Sequence, residues 1–320
     1  MKAKKENTPL LTIGMPVYNG EKYIEEALKS ILAQTYKEFK LIISDNASTD
    51  NTRSICEKYA AKDKRIEYHR YNENKGAAWN FNNTLTFANT KYFKWAAHDD
   101  NLTPEFLEKC IDILERDDSI IMAYTRAILI DEKGHVSGKH TDKMHLPQRK
   151  ASERYKAFHE AYRGHHWCNP VFGVIRLEPL KKTCLIGDYI SSDVILLGEL
   201  ALRGKIHEIN GYFLYQRIHE QNSTLGHKGV EARTAWFNPK KAGKLHVPRI
   251  RWLHEYAKSI NKLKARPVEK AKCYASLAKW AYWHRKLLAR DIAKTVLWPI
   301  IKQIRKYNAM RTPKRARASA

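Results

Sequence analysis

Short strand-like segments alternate with helical segments along the first 115 residues, and this alternation constrains the fold more than any other feature. The pattern predicts buried strands at Leu10–Val17, Phe39–Ser44, Arg65–Tyr71 and Tyr92–Ala97. Helical spacing of apolar residues predicts helices at Glu21–Thr35, Thr52–Lys62, Gly76–Asn89 and from Thr103 to about Glu115. Strands and helices that alternate through short connections indicate an α/β domain with a mostly parallel central sheet. We expect the polar residues 131–150 to form a loop.

Polar side chains follow each of the predicted strands. They are Tyr18-Asn19, Asp45-Asn46, residues 72–76 and His98-Asp99-Asp100. The carboxyl ends of parallel strands meet at one edge of a sheet, where ligands of such sheets bind. We therefore expect these groups to line a single cleft.

Asp99 and Asp100 are the sharpest chemical signal in the chain. Two adjacent carboxylates directly after an apolar strand need a cation or hydrogen-bond donors if they are buried. Mg²⁺ or Mn²⁺ takes one or two carboxylates and leaves positions for phosphate oxygens. Because Thr103-Pro104 opens a helix, a helix-capping role is an equally good interpretation.

The other strand ends also allow two interpretations. Asp45 can accept a hydrogen bond from a nucleobase or ribose, or form a turn with Asn46 and the polar residues after it. Lys75 and Gly76 precede a helix N-terminus, which suits a phosphate or a base edge but also suits a simple turn.

Four sequence blocks resemble the family 2 glycosyltransferases of GT-A fold in their order and spacing. They read PVYNGEKYIEEALKSILAQTY, LIISDNASTDNT, NENKGAAWN and WAAHDDNLTPEFL. The resemblance covers about residues 8–225 and is most specific up to about residue 115. It implies an α/β GT-A nucleotide-sugar-binding domain at 1–226, with a nucleotide-sugar half at 8–115 and an acceptor half at 116–226. It further implies inverting transfer from a nucleotide diphosphate sugar, with UDP as the expected nucleotide.

The resemblance also implies residue roles. The implied donor-binding residues are Pro16, Tyr18, Asn19, Asp45, Asn46, Lys75, Gly76, Asp99 and Arg217. Asp100 and His219, in the closing segment YQRIHEQNST, would hold Mn²⁺ or Mg²⁺, which would stabilise the leaving diphosphate. This chain has His-Asp-Asp where many relatives have Asp-x-Asp.

The segment GDYISSDVILLGELALRGKIHEI resembles the one that carries the catalytic base. Asp193 fits best, because the leucines that follow it would face the core and position it. It would take the proton of the acceptor hydroxyl, and a single displacement would invert the anomeric carbon. Asp188 and Glu199 are alternatives, and Asp193 can also be a helix cap. His165, His166 and Trp167 are candidates for the acceptor site by position alone.

The positive charge is concentrated at the end of the chain. Of a net charge of +24, the segment from Lys228 to Ala320 carries +21, from 25 Lys and Arg against four acidic residues. Trp280, Trp283 and Trp298 alternate with basic residues at helical spacing, which suits a lipid interface. We therefore predict a basic, mainly helical tail at 227–320 that associates with an anionic membrane surface. The alternative is a solvated helical tail that packs on the body.

Composition excludes several classes of protein. No apolar run approaches the roughly 20 residues that cross a bilayer, and we expect no signal peptide. Five scattered cysteines indicate reduced thiols in the cytoplasm. No nucleic-acid-binding motif is visible, so no nucleic acid partner is expected.

The sequence thus favours a transferase on the inner face of a membrane, with a lipid-linked sugar or polysaccharide precursor as acceptor. A sugar-nucleotide pyrophosphorylase would have a Gly-rich, Arg-bearing first loop, whereas this loop reads PVYNG. The remaining alternative is a nucleic-acid- or membrane-binding module with a degenerate transferase body.

Overall fold

The computed structural model describes residues 9–163, 168–220, 222, 226–227 and 229–311. The strands in these residues are β1 (Leu11–Val17), β2 (Phe39–Asp45), β3 (Ile66–Arg70), β4 (Tyr92–Trp95), β5 (Asn101–Leu102), β6 (Ile120–Ile130), β7 (Val136–His140), β8 (Val174–Arg176) and β9 (Lys205–Arg217). The helices are α1 (Ile24–Leu32), α2 (Thr52–Lys62), α3 (Ala77–Thr86), α4 (Phe106–Arg116), α5 (Ala151–Ala161), α6 (Leu177–Lys181), α7 (Ser192–Arg203), α8 (Gly229–Phe237), α9 (Pro248–Lys262), α10 (Pro267–Trp283) and α11 (Arg285–Arg311).

The strands of the described residues form one sheet in the order β3-β2-β1-β4-β8-β6-β9-β5, with β7 paired to β6. The pairs among β3, β2, β1 and β4 are parallel, as the sequence predicts. The second half is mixed, because β8 is antiparallel to β4 and β6, whereas β9 is parallel to β6. The carboxyl ends of β1, β2 and β4 therefore share one edge. The predicted loop at 131–150 is partly wrong, since it contains β7 in a hairpin with β6.

Helices cover both faces of the sheet and create two hydrophobic cores. One core holds the apolar faces of α1 and α4, and the other holds those of α3, α5 and α7. β1 is buried along its whole length, as expected for a strand covered on both sides. A Cβ on Gly14 would lie 2.3 Å from Thr84 Oγ1, so only glycine lets α3 pack this closely on β1.

The C-terminal helices divide into two groups. α9 and α10, which lie beyond the predicted boundary at residue 226, share the second core through Tyr256, Ile260, Leu277 and Trp280. The prediction that Trp280 faces lipid is therefore wrong, because its ring is buried and packs near Tyr256 at 5.5 Å between ring centroids. α11 follows α10 and exposes much of its apolar surface. None of the described helices combines the length and the apolar character that a membrane crossing requires.

Candidate active site

A cleft of about 930 Å³ opens at the carboxyl ends of β1 and β4. The predicted residues that line it are Pro16, Tyr18, Asn19, Asn46, Asp99, Asp100, Asp193, Arg217 and His219. They come from three strand ends, from the first turn of α7 and from the end of β9. The sheet topology thus brings together residues as far apart in the chain as Pro16 and His219, as expected for this type of sheet.

The loop after β1 presents an aromatic side chain to the cleft. Asn19 has a left-handed backbone with φ of 51°, and its amide donates to Ser48 Oγ at 2.9 Å. Its own side-chain oxygen accepts the amide of Thr49 at 2.9 Å. These bonds fix the loop to the turn after β2, while Tyr18 stays 44% exposed. Tyr18 therefore offers an accessible ring face for a planar group.

Asp45 is present at the end of β2 but does not line the cleft. Its carboxylate has no exposed surface and accepts hydrogen bonds from the Ser48 amide at 2.8 Å and from the Tyr68 hydroxyl at 2.6 Å. A direct contact between Asp45 and a base would require these bonds to be exchanged. In this structure Asp45 holds the turn that supports Asn19.

Lys75 and Gly76 lie beside the cleft. The Lys75 amide donates to Asn46 Oδ1 at 3.0 Å, and its ammonium lies 4.7 Å from the centre of the Trp79 ring. Lys75 lines a smaller adjoining pocket of about 300 Å³. Gly76 has φ of +89°, and a Cβ there would lie 2.5 Å from the carbonyl oxygen of Phe237. The structure thus uses Gly76 to bring the end of α8 against the start of α3.

The two adjacent carboxylates have different surroundings. Asp99 Oδ2 pairs with His219 Nε2 at 2.8 Å, and Asp100 Oδ1 accepts the backbone amide of Arg217 at 2.9 Å. Burial opposes ionisation of Asp99, but the charge of His98 and the hydrogen bond from His219 keep its pKa below the ordinary value. Burial and the neighbouring charge of Asp99 raise the pKa of Asp100 well above the ordinary value. A cation at this point would relieve the cost of holding both carboxylates ionised.

The donor set fits a shared metal ion better than a closed protein site. The described residues contain no group of three or more His, Cys, Asp or Glu side chains arranged to hold an ion. Mg²⁺ or Mn²⁺ that also binds a diphosphate needs only one or two carboxylates from the protein. Asp100 keeps one oxygen without a hydrogen bond to any described residue, so it fits such an ion. His219 lies next to the pair and would join the ion through Nδ1, or through Nε2 if its bond to Asp99 is exchanged.

Arg217 differs from its predicted role as a donor-binding residue. Its side chain is only 1% exposed, and it donates to Glu26 at 2.6 Å and to the carbonyl oxygen of Asp99 at 3.1 Å. Its guanidinium also lies 4.5 Å from the centre of the Tyr23 ring. Because these contacts occupy the guanidinium, Arg217 joins α1 to the loop of the two carboxylates and presents almost no surface to a phosphate.

Of the three candidate bases, Asp193 alone lines the main cleft. Its Oδ1 accepts the amide of Val194 at 2.9 Å. Burial raises its pKa above the ordinary value, although that hydrogen bond and one from the Cys168 thiol favour the charged form. Asp188 pairs with Lys241 at 2.6 Å, and Glu199 is buried against Arg203 at 2.8 Å. These two carboxylates therefore have structural partners.

Several lining residues were missed by the sequence interpretation. α8 forms one wall of the cleft with Trp236 and Phe237, and Tyr23 packs on His219 at 4.9 Å between ring centroids. The two adjacent aromatic residues of α8 were the available sequence signal for this wall. The predicted acceptor residues His165, His166 and Trp167 lie outside the described residues.

The comparison with protein families decides the family. The family described as Glycosyl transferase family 2 matches residues 12–183, which is more than half of the chain. The chain belongs to glycosyl transferase family 2. The matched region contains the loop after β1, the turn after β2 and the two carboxylates, whereas α8 and the later helices lie outside it.

Curated relatives of this family 2 chain match it over part of their length. An uncharacterized glycosyltransferase of Rickettsia typhi is 38% identical over 134 residues, which are 41% of this chain and 41% of that protein. The putative glycosyltransferase EpsE of Bacillus subtilis is 35% identical over 127 residues, which are 39% of this chain and 46% of that protein. The chain thus matches less than half the length of each of these relatives.

Solved structures show that the family 2 chain has the GT-A fold. TarS of S. aureus in complex with UDP has a TM-score of 0.61 at 18% identity, covering 86% of this chain and 71% of that one. The mannosyltransferase PcManGT of Pyrobaculum calidifontis, in complex with GDP-Man and Mn²⁺, has a TM-score of 0.54 at 17% identity, covering 96% and 81%. At these identities the likeness concerns the fold alone.

Proposed function

We propose that the chain is a metal-dependent inverting glycosyltransferase that uses a nucleotide diphosphate sugar, with UDP as the expected nucleotide. The observation that carries the proposal is the meeting of Asp99, Asp100 and Asp193 in one cleft beside Tyr18. The aromatic face of the cleft suits a nucleobase, and the carboxylate pair suits a metal-bound diphosphate. The separate carboxylate suits an acceptor hydroxyl. UDP, UDP-GlcNAc and GDP-Man in the structural neighbours support a nucleotide sugar as donor.

In this proposal each side chain of the cleft has its own role in the reaction. Asp100 and His219 would hold Mn²⁺ or Mg²⁺, which would supply positive charge to the diphosphate as it leaves. Tyr18 packs against the nucleobase of the donor. Asp99, which pairs with His219, orients the ribose or the transferred sugar. Asp193 takes the proton of the acceptor hydroxyl, and its raised pKa makes it a stronger base than an exposed aspartate. With one base and no enzyme nucleophile, the anomeric carbon is inverted.

The acceptor in this proposal is a lipid-linked sugar or a polysaccharide precursor of the cell envelope. The support is the net charge of +21 from residue 228 onwards, which favours a peripheral position on the anionic inner face of a membrane. Arg217 contributes to donor binding indirectly, because it positions the carboxylate loop.

A thermal-shift screen with UDP-, GDP- and dTDP-sugars, each with and without Mn²⁺, tests the donor. A ligand at about 100 times its dissociation constant adds about 2.7 kcal/mol to the free energy of unfolding. We expect a shift that needs the metal and that Asp100→Asn abolishes. Folded protein that shifts with none of these donors would contradict the proposal and favour a binding module with a degenerate transferase body.

A further inference from the structure

α11 is held on the body along one side. Asp291 is fully buried, and its Oδ2 accepts the backbone amide of Arg249 at the start of α9 at 2.7 Å. Leu287 and Trp298, four residues before and seven after Asp291, lie on the same side of the helix and are partly buried. These contacts determine which side of α11 points away from the protein.

The opposite side of α11 is apolar and exposed. We call this surface the outer face; it consists of Ile292, Val296, Leu297, Ile300 and Ile304, which are 48–71% exposed. Ile292, Val296, Ile300 and Ile304 recur every four positions, so they form a row a little over three turns long, with Pro299 inside it. An exposed apolar row of this kind indicates a contact with another apolar surface, of a protein or of a membrane.

The charges around the outer face indicate whether that surface is a protein or a membrane. Exposed Arg285, Lys286 and Arg290 lie seven or eleven positions before residues of the outer face and so share its side of the helix, whereas Lys294 and Lys302 follow Asp291 by three and eleven positions and share its side. Asp291, the acidic residue of this stretch, is buried on the other side. A second copy of the chain would bring like charges together, whereas anionic lipid headgroups would neutralise them.

We propose that the outer face of α11 binds an anionic bilayer, with its apolar row in the boundary between headgroups and acyl chains. Arg285, Lys286 and Arg290 contact the headgroups, and Asp291 keeps the helix attached to the body. The inference deepens the membrane partner of the proposed function and assigns it to one helix face. It excludes the buried Trp280 of α10 from that contact.

The test compares two valines of nearly equal exposure in the full chain. Val296, on the outer face, is 71% exposed, and Val268, on α10, is 67% exposed. Flotation is measured with vesicles of phosphatidylcholine alone and of an equal mixture with phosphatidylglycerol. Because Val296→Glu puts a charge where apolar surface is buried, we expect it to lower partitioning into the anionic vesicles about tenfold or more. Val268→Glu adds the same charge elsewhere and should lower partitioning less than about twofold.

Three results would overturn the inference. They are equal binding to neutral and anionic vesicles, equal effects of the two substitutions, and a wild-type dimer in light scattering that Val296→Glu converts to monomer. The last result would make the outer face a contact between copies.

Hydrolysis of UDP-sugar without acceptor is measured on the same proteins. α11 lines no part of the described cleft, so Val296→Glu should retain this activity. Proteins that bind vesicles as expected but hydrolyse no donor would contradict the transferase proposal and leave the membrane inference standing.

Discussion

Replacing Arg217 by methionine separates two roles for this residue, because it removes the guanidinium and keeps an apolar chain of similar length. The change leaves the carbonyl oxygen of Asp99 without its donor in a nearly closed site and removes the contact with the Tyr23 ring. Longer hydrogen bonds to the carbonyl oxygens of Asp131 and Glu132, at 3.3 and 3.2 Å, are lost as well.

The expected cost follows from these contacts. Removal of one partner of a fully buried ion pair costs about 3–5 kcal/mol. Glu26, however, is 57% exposed and regains water when Arg217 is lost, so the lower end of that range applies, about 3 kcal/mol. Glu26→Gln, the matched control, leaves the guanidinium on its carbonyl partners and should cost about 1 kcal/mol or less.

Urea unfolding measures both values from the midpoints at a common slope. We also expect Arg217→Met to raise the Mn²⁺ concentration needed for half-maximal activity, because the Arg217 side chain holds the carboxylate loop through the carbonyl oxygen of Asp99. The reasoning fails if Arg217→Met unfolds at the wild-type urea concentration while the KM for the nucleotide sugar rises tenfold. That result would make Arg217 a direct ligand of the donor phosphates.

Three further predictions concern the cleft and its supports. Asp193→Asn should lower kcat about 10²–10⁴-fold and leave the thermal shift with donor intact, since a general base acts on the acceptor; an unchanged kcat would reject Asp193 as the base. The wild-type kcat should fall with decreasing pH at a point above pH 4, because the base must be ionised and the pKa of Asp193 is raised by burial; a fall that begins only below pH 4 would contradict this. Gly76→Ala should lower the free energy of unfolding by about 1–2 kcal/mol or more, as φ is +89° and the new Cβ would meet the Phe237 carbonyl oxygen; wild-type stability in urea would show that α8 can move away at no cost.

The parts of the fold that were predicted correctly depend on local patterns. The four strands up to Trp95 and the helices between them have periodic apolar residues and polar ends, and the structure reproduces them with shifts of a few residues. The position of Asp99 and Asp100 followed from the same rule, since the strand before them had to end at the binding edge of a parallel sheet. The hairpin at β7 was missed because its exposed residues lack the apolar alternation that marks a strand.

The roles of Arg217 and Trp280 depended on contacts between distant segments. Arg217 meets Glu26 across 191 positions of sequence, and Trp280 packs near His159 of α5 at 6.4 Å between ring centroids. Nothing in the residues around either position records these partners. A basic residue before a histidine looks the same whether it faces a phosphate or is buried under a helix.

The sequence by itself determined the alternating α/β order, the polar strand ends and the excess of positive charge after residue 227. Only the tertiary structure decided which candidate base lines the cleft. It also decided that Arg217 is buried and that the outer face of α11 is exposed. The physical reason is that the spacing of apolar residues specifies which face of a helix avoids water. It does not specify what covers that face: the packing buries the face of α10 that holds Trp280 and leaves the outer face of α11 exposed.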